Sequence, residues 1–385
     1  MMKKQNNSGT WILKGLPFLF TLALFLSLIA ATVSTEASAE SADIDDALPE
    51  YHITLNDSGS RSDCDSVFVN ENTVVITEAG SYTLTGTLSN GQLCIDTDKE
   101  SKVRLVLAGV SITNGNSAAV YVRSADKVVI RLQDGSSNTL STTGSFVQAD
   151  ENTVDAVVFS KDDLTVSGSG SLSVYSAAGH GIVSKDDLKV KNGNISITAA
   201  RKTMCANDSL TVEEGNLVLD AGTEGMEASN VIINGGNISI HAGDDGINAT
   251  WLTDTSRPAI EINGGSLTIV MGTGDTDGID SNGDLSITGG TIDVTGNSTF
   301  DVDGSISFTG GTVIVNGQQV DSIPNQMMGG GFGGMGPGGM GHGGRQNAGE
   351  FGGENFTPPD NNDFSGGWSQ DPGNGQQNHG PGFGN

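Results

Sequence analysis

The stretch that decides the fold is D-G-I-D-S-N-G-D-L-S-I, residues 277–287, because the chain carries it in several versions. H-G-I-V-S-K-D-D-L-K-V begins at His180, E-G-M-E-A-S-N-V-I-I at Glu224 and D-G-I-N-A at Asp245. Each version is followed by a short apolar alternation, a glycine turn and a second alternation. A repeat of about 20 to 30 residues marks stacked coils and not a globule around one core.

The alternations come as apolar residues two apart: Leu164 and Val166, Leu188 and Val190, Leu210 and Val212, Val231 and Ile233, Ile260 and Ile262, Leu285 and Ile287. The partner series is Leu172 and Val174, Ile195 and Ile197, Leu217 and Leu219, Ile238 and Ile240, Leu267 and Ile269, Ile292 and Val294. Ile306 with Phe308 and Val313 with Val315 close the two series. Residues two apart on a strand share a face, so each pair points one way. Between the pairs stand Asn192-Gly193-Asn194, Asn234-Gly235-Gly236, Asn263-Gly264-Gly265, Thr288-Gly289-Gly290 and Thr309-Gly310-Gly311. Gly and Asn tolerate positive φ, so these are corners. The recurring phrase supplies a third inward position per coil: Ile182, Met204, Met226, Ile247, Ile279 and Val302. Three short strands per coil around a common axis predict an all-β chain folded as a parallel β-helix, a single elongated solenoid domain. Strand-like runs at 73–76, 82–84, 103–107, 119–122 and 128–132 extend it toward the N-terminus. T-W-L-T-D-T-S-R-P, residues 250–258, breaks the rhythm as an inserted loop on one coil.

The domain boundaries follow. Residues 1–39 read as a secretory signal: Lys3, Lys4 and Lys14 precede an apolar run from Leu16 to Ala30, and Ala37-Ser38-Ala39 is a small-residue cleavage site. Residues 40–50 are a linker, 51–323 the β-helix and 324–385 a Gly/Pro/Asn/Gln-rich tail that cannot bury a core and is expected to be disordered. No other long apolar run occurs, so the mature protein is expected to be secreted, extracellular or cell-wall associated, with no membrane contact. The formal charge of −28 over 385 residues excludes nucleic acid and anionic membrane surfaces as direct partners and favours cations. Cys64, Cys94 and Cys205 make no disulfide framework, although Cys64 and Cys94 could pair.

Stacking the phrase coil on coil produces two polar columns. One is His180, Lys202, Glu224, Asp245, Asp277; the other is Val183, Cys205, Glu227, Asn248, Asp280, Asp303, with Asp244 and Asp275 beside them. Equivalent residues of adjacent coils lie about 4.8 Å apart, so bare carboxylates would repel strongly. A Ca²⁺ ion, which accepts six to eight oxygens in loose geometry, relieves that. The expected ligands are Glu224, Glu227, Asp244, Asp245, Asn248, Asp275, Asp277, Asp280 and Asp303. Lys202 beside this column could act as the base of a Ca²⁺-dependent uronate lyase, with Arg257 clamping a carboxylate. The plainer reading is an ion pair between Lys202 and Glu224 and a surface Arg257. Trp251 and Arg257 on the inserted loop are the candidate carbohydrate contacts. No G-x-S-x-G, H-E-x-x-H or P-loop occurs.

S-K-V-R-L-V-L-A-G-V-S-I-T from Ser101, F-S-K-D-D-L-T-V-S-G-S-G-S-L from Phe159, and the phrases at His180 and Asp277 together resemble the bacterial carbohydrate-binding domain-containing proteins first described in clostridia. The resemblance covers about residues 51–320. It implies a right-handed parallel β-helix like that of pectate lyases, bound Ca²⁺, and affinity for cellulose-like and polygalacturonate polymers without established lyase activity. It supports Asp277 and Asp280 as ligands. Lys202-Thr203-Met204-Cys205 departs from the family's usual D-G-I-K. The expected function is therefore an exported, non-catalytic, Ca²⁺-dependent polysaccharide binder. The alternatives are a Ca²⁺-dependent pectate or uronate lyase, and a structural surface or adhesion protein retained through its tail.

Overall fold

The computed structural model describes residues 48–253, 257–273 and 276–325. The signal, nearly all of the linker, the tail beyond residue 325 and Asp275 lie outside the described residues. Within them every regular element is a strand, as the alternation predicts. The strand pairing is parallel from coil to coil, so the chain is a parallel β-helix.

A representative coil runs through three strands: Met226–Ala228, Asn230–Ile233 and Asn237–Ala242. Each pairs in parallel with its counterpart in the next coil, Ile247–Ala249, Ala259–Ile262 and Ser266–Met271. The recurring phrase thus builds a sheet of its own, with eleven strands from Val67–Asn70 to Ser298–Val302. We call this the phrase sheet. The other two strands of each coil form the second and third faces. Those faces separate from the coil of Val120–Ser124 onward. Earlier coils carry both on one bent strand, Gly80–Leu88 and Lys102–Asn114, with Gly86 and Gly109 at positive φ. The linker was expected to reach residue 50, but the first strand already begins at Glu50.

The paired apolar residues point to one axis, and nearly all are at most 3% exposed. Ile306, Phe308 and Val315 on the last coil are only partly covered, since no further coil among the described residues packs on them. Burial of each such side chain contributes about 1.5–3 kcal/mol, and a single coil can bury them only against its neighbours. The predicted corners are real: Gly193, Gly236, Gly265, Gly290 and Gly311 all have positive φ. The phrase glycine has another cause. A Cβ at Gly246 would lie 2.4 Å from the Gly278 carbonyl oxygen and 2.5 Å from Ile269 Cγ2. The phrase sheet and the third face approach too closely there for any side chain.

Both ends close with antiparallel strands. Arg61–Ser62 pairs with Glu50–Leu55, Val67–Asn70 with Thr73–Ile76, and Gln318–Val320 with Thr312–Val315. At the last phrase strand the Asn325 amide replaces a strand: Val302 N–H donates to Asn325 Oδ1 and Asn325 Nδ2 donates to the Val302 carbonyl, each at 2.9 Å. The three thiols are free and buried, so Cys64 and Cys94 do not pair.

Candidate metal centre

The outward side of the phrase sheet carries one register column: Val75, Cys94, Tyr121, Phe159, Val183, Cys205, Glu227, Asn248, Asp280 and Asp301. Its first six positions are apolar, aromatic or thiol, and most form a second small cluster outside the main core. Arg123 and Lys185 lie over the rings of Tyr121 and Phe159 at 5.5 and 5.6 Å. From Glu227 onward the same column is polar. The character of the sheet therefore changes midway along the stack.

Sequence alignment of the phrase placed Asp303 next to Asp280. The register instead pairs Asp280 with Asp301 and Ile279 with Phe300. The shift is two residues, so alternation is preserved and both Phe300 and Val302 are buried. Phe300 thus stacks on Ile279, and Val302 on Ser281. Asp303 still acts on the Asp280 charge.

Asp245, Asn248, Asp277 and Asp280 come together. Asn248 Nδ2 donates to Asp245 Oδ2 at 3.0 Å, and the Asp277 backbone N–H donates to Asp245 Oδ1 at 3.2 Å. The Ser298 hydroxyl donates to the Asp277 carboxylate. Burial, then the Asp280 charge, push the Asp245 carboxyl up to about 7. Burial, then Asp277, Asp301, Asp303 and Asp244, push Asp280 up to about 7 as well. No lysine or arginine stands among these influences. The Asn248 Oδ1 oxygen is buried without a hydrogen-bond partner. Carboxylates raised by burial and by neighbouring acids, with an orphaned amide oxygen, are donors of the kind a hard divalent cation takes, although among the described residues the three acids whose oxygens lie within 4.8 Å of one another are Asp163, Asp186 and Asp187.

Glu224 and Glu227, expected as metal ligands, are arranged differently. Lys202 Nζ lies 3.4 Å from Glu224 Oε1 and donates to Glu227 Oε2. The Cys205 thiol faces the other Glu227 oxygen at 3.7 Å. The Glu227 side chain is 5% exposed and that of Lys202 19%. Burial pulls the Lys202 ammonium down, but Glu227 and then Glu224 outweigh it and hold it above the ordinary lysine value. His180, at the head of the column, accepts the Lys202 backbone N–H at 3.2 Å and is buried, which lowers it to about 4.

Arg257 is 54% exposed at its side chain and pairs with Asp284 at 3.5 Å. Lys202 contacts the Glu224–Glu227 coil, so the structure does not bring Lys202 and Arg257 together. Trp251 is 57% exposed on the inserted loop, beside the part-exposed Leu252. One cluster escaped sequence reasoning. Oxygens of Asp163, Asp186 and Asp187 lie within 4.8 Å of one another at the corner after the phrase sheet. The repeated K-D-D at 161–163 and 185–187 was its only signal.

A family model described as carbohydrate-binding domain-containing protein matches residues 70–322. A curated protein of that description from Acetivibrio thermocellus is 40% identical over 146 residues, 37% of this chain and 51% of that protein. The chain thus spans about half the length of the curated relative it matches. A solved structure, described as the polysaccharide lyase-like protein from C. thermocellum in a gadolinium derivative, aligns with TM-score 0.51 and 32% identity. That alignment covers 69% of this chain and 96% of the solved one.

Proposed function

The chain belongs to the carbohydrate-binding domain-containing protein family, and on that premise we propose that it is an exported, non-catalytic binder of acidic polysaccharide that acts through Ca²⁺. Asp244, Asp245, Asn248, Asp277 and Asp280 would hold the ion, with Asp301 and Asp303 at its edge. Bound there, Ca²⁺ supplies positive charge on a strongly acidic surface, where uronate carboxylates would otherwise be repelled. The observation that carries this reading is the hydrogen-bonded group of Asp245, Asn248 and Asp277, in which burial and the Asp280 charge raise Asp245 and the Asn248 Oδ1 oxygen is buried without a hydrogen-bond partner. Trp251 offers an exposed ring to a sugar face. Equilibrium binding to polygalacturonate and cellulose is the test. Polygalacturonate should be retained in calcium and released by chelator; retention that ignores the chelator rejects the metal's role.

A lyase reading draws on the description of the solved relative as polysaccharide lyase-like. It needs a neutral base, and Lys202 is held as an ammonium by two carboxylates. Incubation with polygalacturonate should therefore give no rise in unsaturated-product absorbance.

A further inference from the structure

On the coils of Asp245 and Asp277 the charges that raise Asp245 and Asp280 are those of other aspartates. One coil earlier the same two columns hold Glu224 and Glu227, and an ammonium sits between them. We propose that Lys202 is a built-in cation: its Nζ fills a metal position of the phrase sheet, so the cation track ends there, and removing the ammonium creates a further site for a divalent cation. This rests on reading the Asp245–Asp280 cluster as a metal centre.

Three observations carry it. Glu227 is in register with Asn248, so it belongs to the column that continues to Asp280. Backbone bonds from Gly225 N to the Asp245 carbonyl and from Gly246 N to the Asp277 carbonyl, both 2.9 Å, place Glu224, Asp245 and Asp277 at equivalent positions of successive coils. Finally, Glu224 Oε2 is buried with no hydrogen-bond partner. Lys202 approaches the other oxygen of that carboxylate, Oε1, at 3.4 Å. An ammonium brings one positive charge to two carboxylates, whereas a divalent ion would match both and could take the orphaned oxygen as a ligand.

The test compares the full chain with Lys202→Ala and with Lys202→Ala/Glu227→Gln by equilibrium dialysis against Ca²⁺ and metal analysis. Lys202→Ala should bind one more equivalent than the wild type, and the double variant should return to the wild-type count. A folded Lys202→Ala protein with an unchanged count overturns the proposal. Since loss of the ammonium could unfold the calcium-free variant, melting is followed with and without Ca²⁺. Calcium should raise the Tm of Lys202→Ala by more than that of the wild type, and an equal or smaller rise also overturns it. If the wild type binds no calcium but Lys202→Ala does, the Asp245–Asp280 reading fails and the end of a cation track with it, while Lys202 as the occupant of a cation position stands.

Discussion

At the scale of single residues the protein's electrostatics divide at Lys202. Its pairing with Glu224 and Glu227 is largely buried, and breaking such a pair costs about 3–5 kcal/mol because the remaining charges keep no partner. Calcium-free Lys202→Ala should therefore melt well below the wild type. Asp280 behaves oppositely. In the calcium-free fold Asp245 and Asp280 keep protons up to about pH 7, whereas in an unfolded chain aspartates lose them near pH 4. These two groups thus hold more protons in the folded state in between and make stability fall as pH rises from about 4 to about 7, outweighing the single lowered His180, which acts the other way between about 4 and about 6.5. Glu227, Asp163 and Asp186 are also raised, with burial the leading cause in each, and act in the same direction. Asp280→Asn removes one of the charges, so in chelator at pH 8 it should be more stable than the wild type, by on the order of 1 kcal/mol or more. It should also bind calcium more weakly. Melting in chelator across pH checks the first effect and dialysis the second; a flat pH profile for the wild type would remove the basis of both. None of these pairings was legible in the sequence. The columns could be counted from the repeat, but which acid Lys202 reaches depends on a long side chain crossing between coils.

At the scale of the strand and corner much more could be read. Inward pairs such as Ile238 and Ile240 or Leu267 and Ile269 are buried as alternation requires, because parity along a strand leaves two choices and only one is apolar. The Asn-Gly corners were legible for the same reason: positive φ is costly for other residues. Two features were not. The strands 80–88 and 102–114 each carry two faces and bend at a single glycine of positive φ, Gly86 and Gly109, which the sequence does not set apart from a corner that ends a strand. In the last phrase, parity allows either Phe300 or Val302 opposite Ile279, and the alternation by itself does not choose between them. The phrase glycine leads to a sharp expectation. Gly246→Ala puts a methyl 2.4 Å from a carbonyl oxygen of the next coil. Overpacking of this kind costs about 1–3 kcal/mol. Gly109→Ala meets no atom within 4 Å, so its cost should come from positive φ alone. Paired denaturant melts distinguish the two, and a harmless Gly246→Ala would contradict the close approach of phrase sheet and third face.

At the scale of the whole molecule, stability is a sum over coils and their interfaces. An ion bridging two coils should then stabilise more than the residues that touch it. Calcium at about 100 times its Kd would contribute about 2.7 kcal/mol, visible as a Tm several degrees higher than in chelator. Absence of any shift would argue against a bound ion. The ends matter as well. The C-terminal hairpin shields the third face, but the phrase sheet depends on the Asn325 amide holding both backbone groups of Val302. The family match stops at residue 322. A chain trimmed to that boundary would keep every coil yet leave Val302 with a bare backbone edge, open to pairing with a neighbouring molecule. One trimmed after Asn325 would not. Three residues beyond the repeat thus decide whether the backbone of the last phrase strand keeps a partner at Val302.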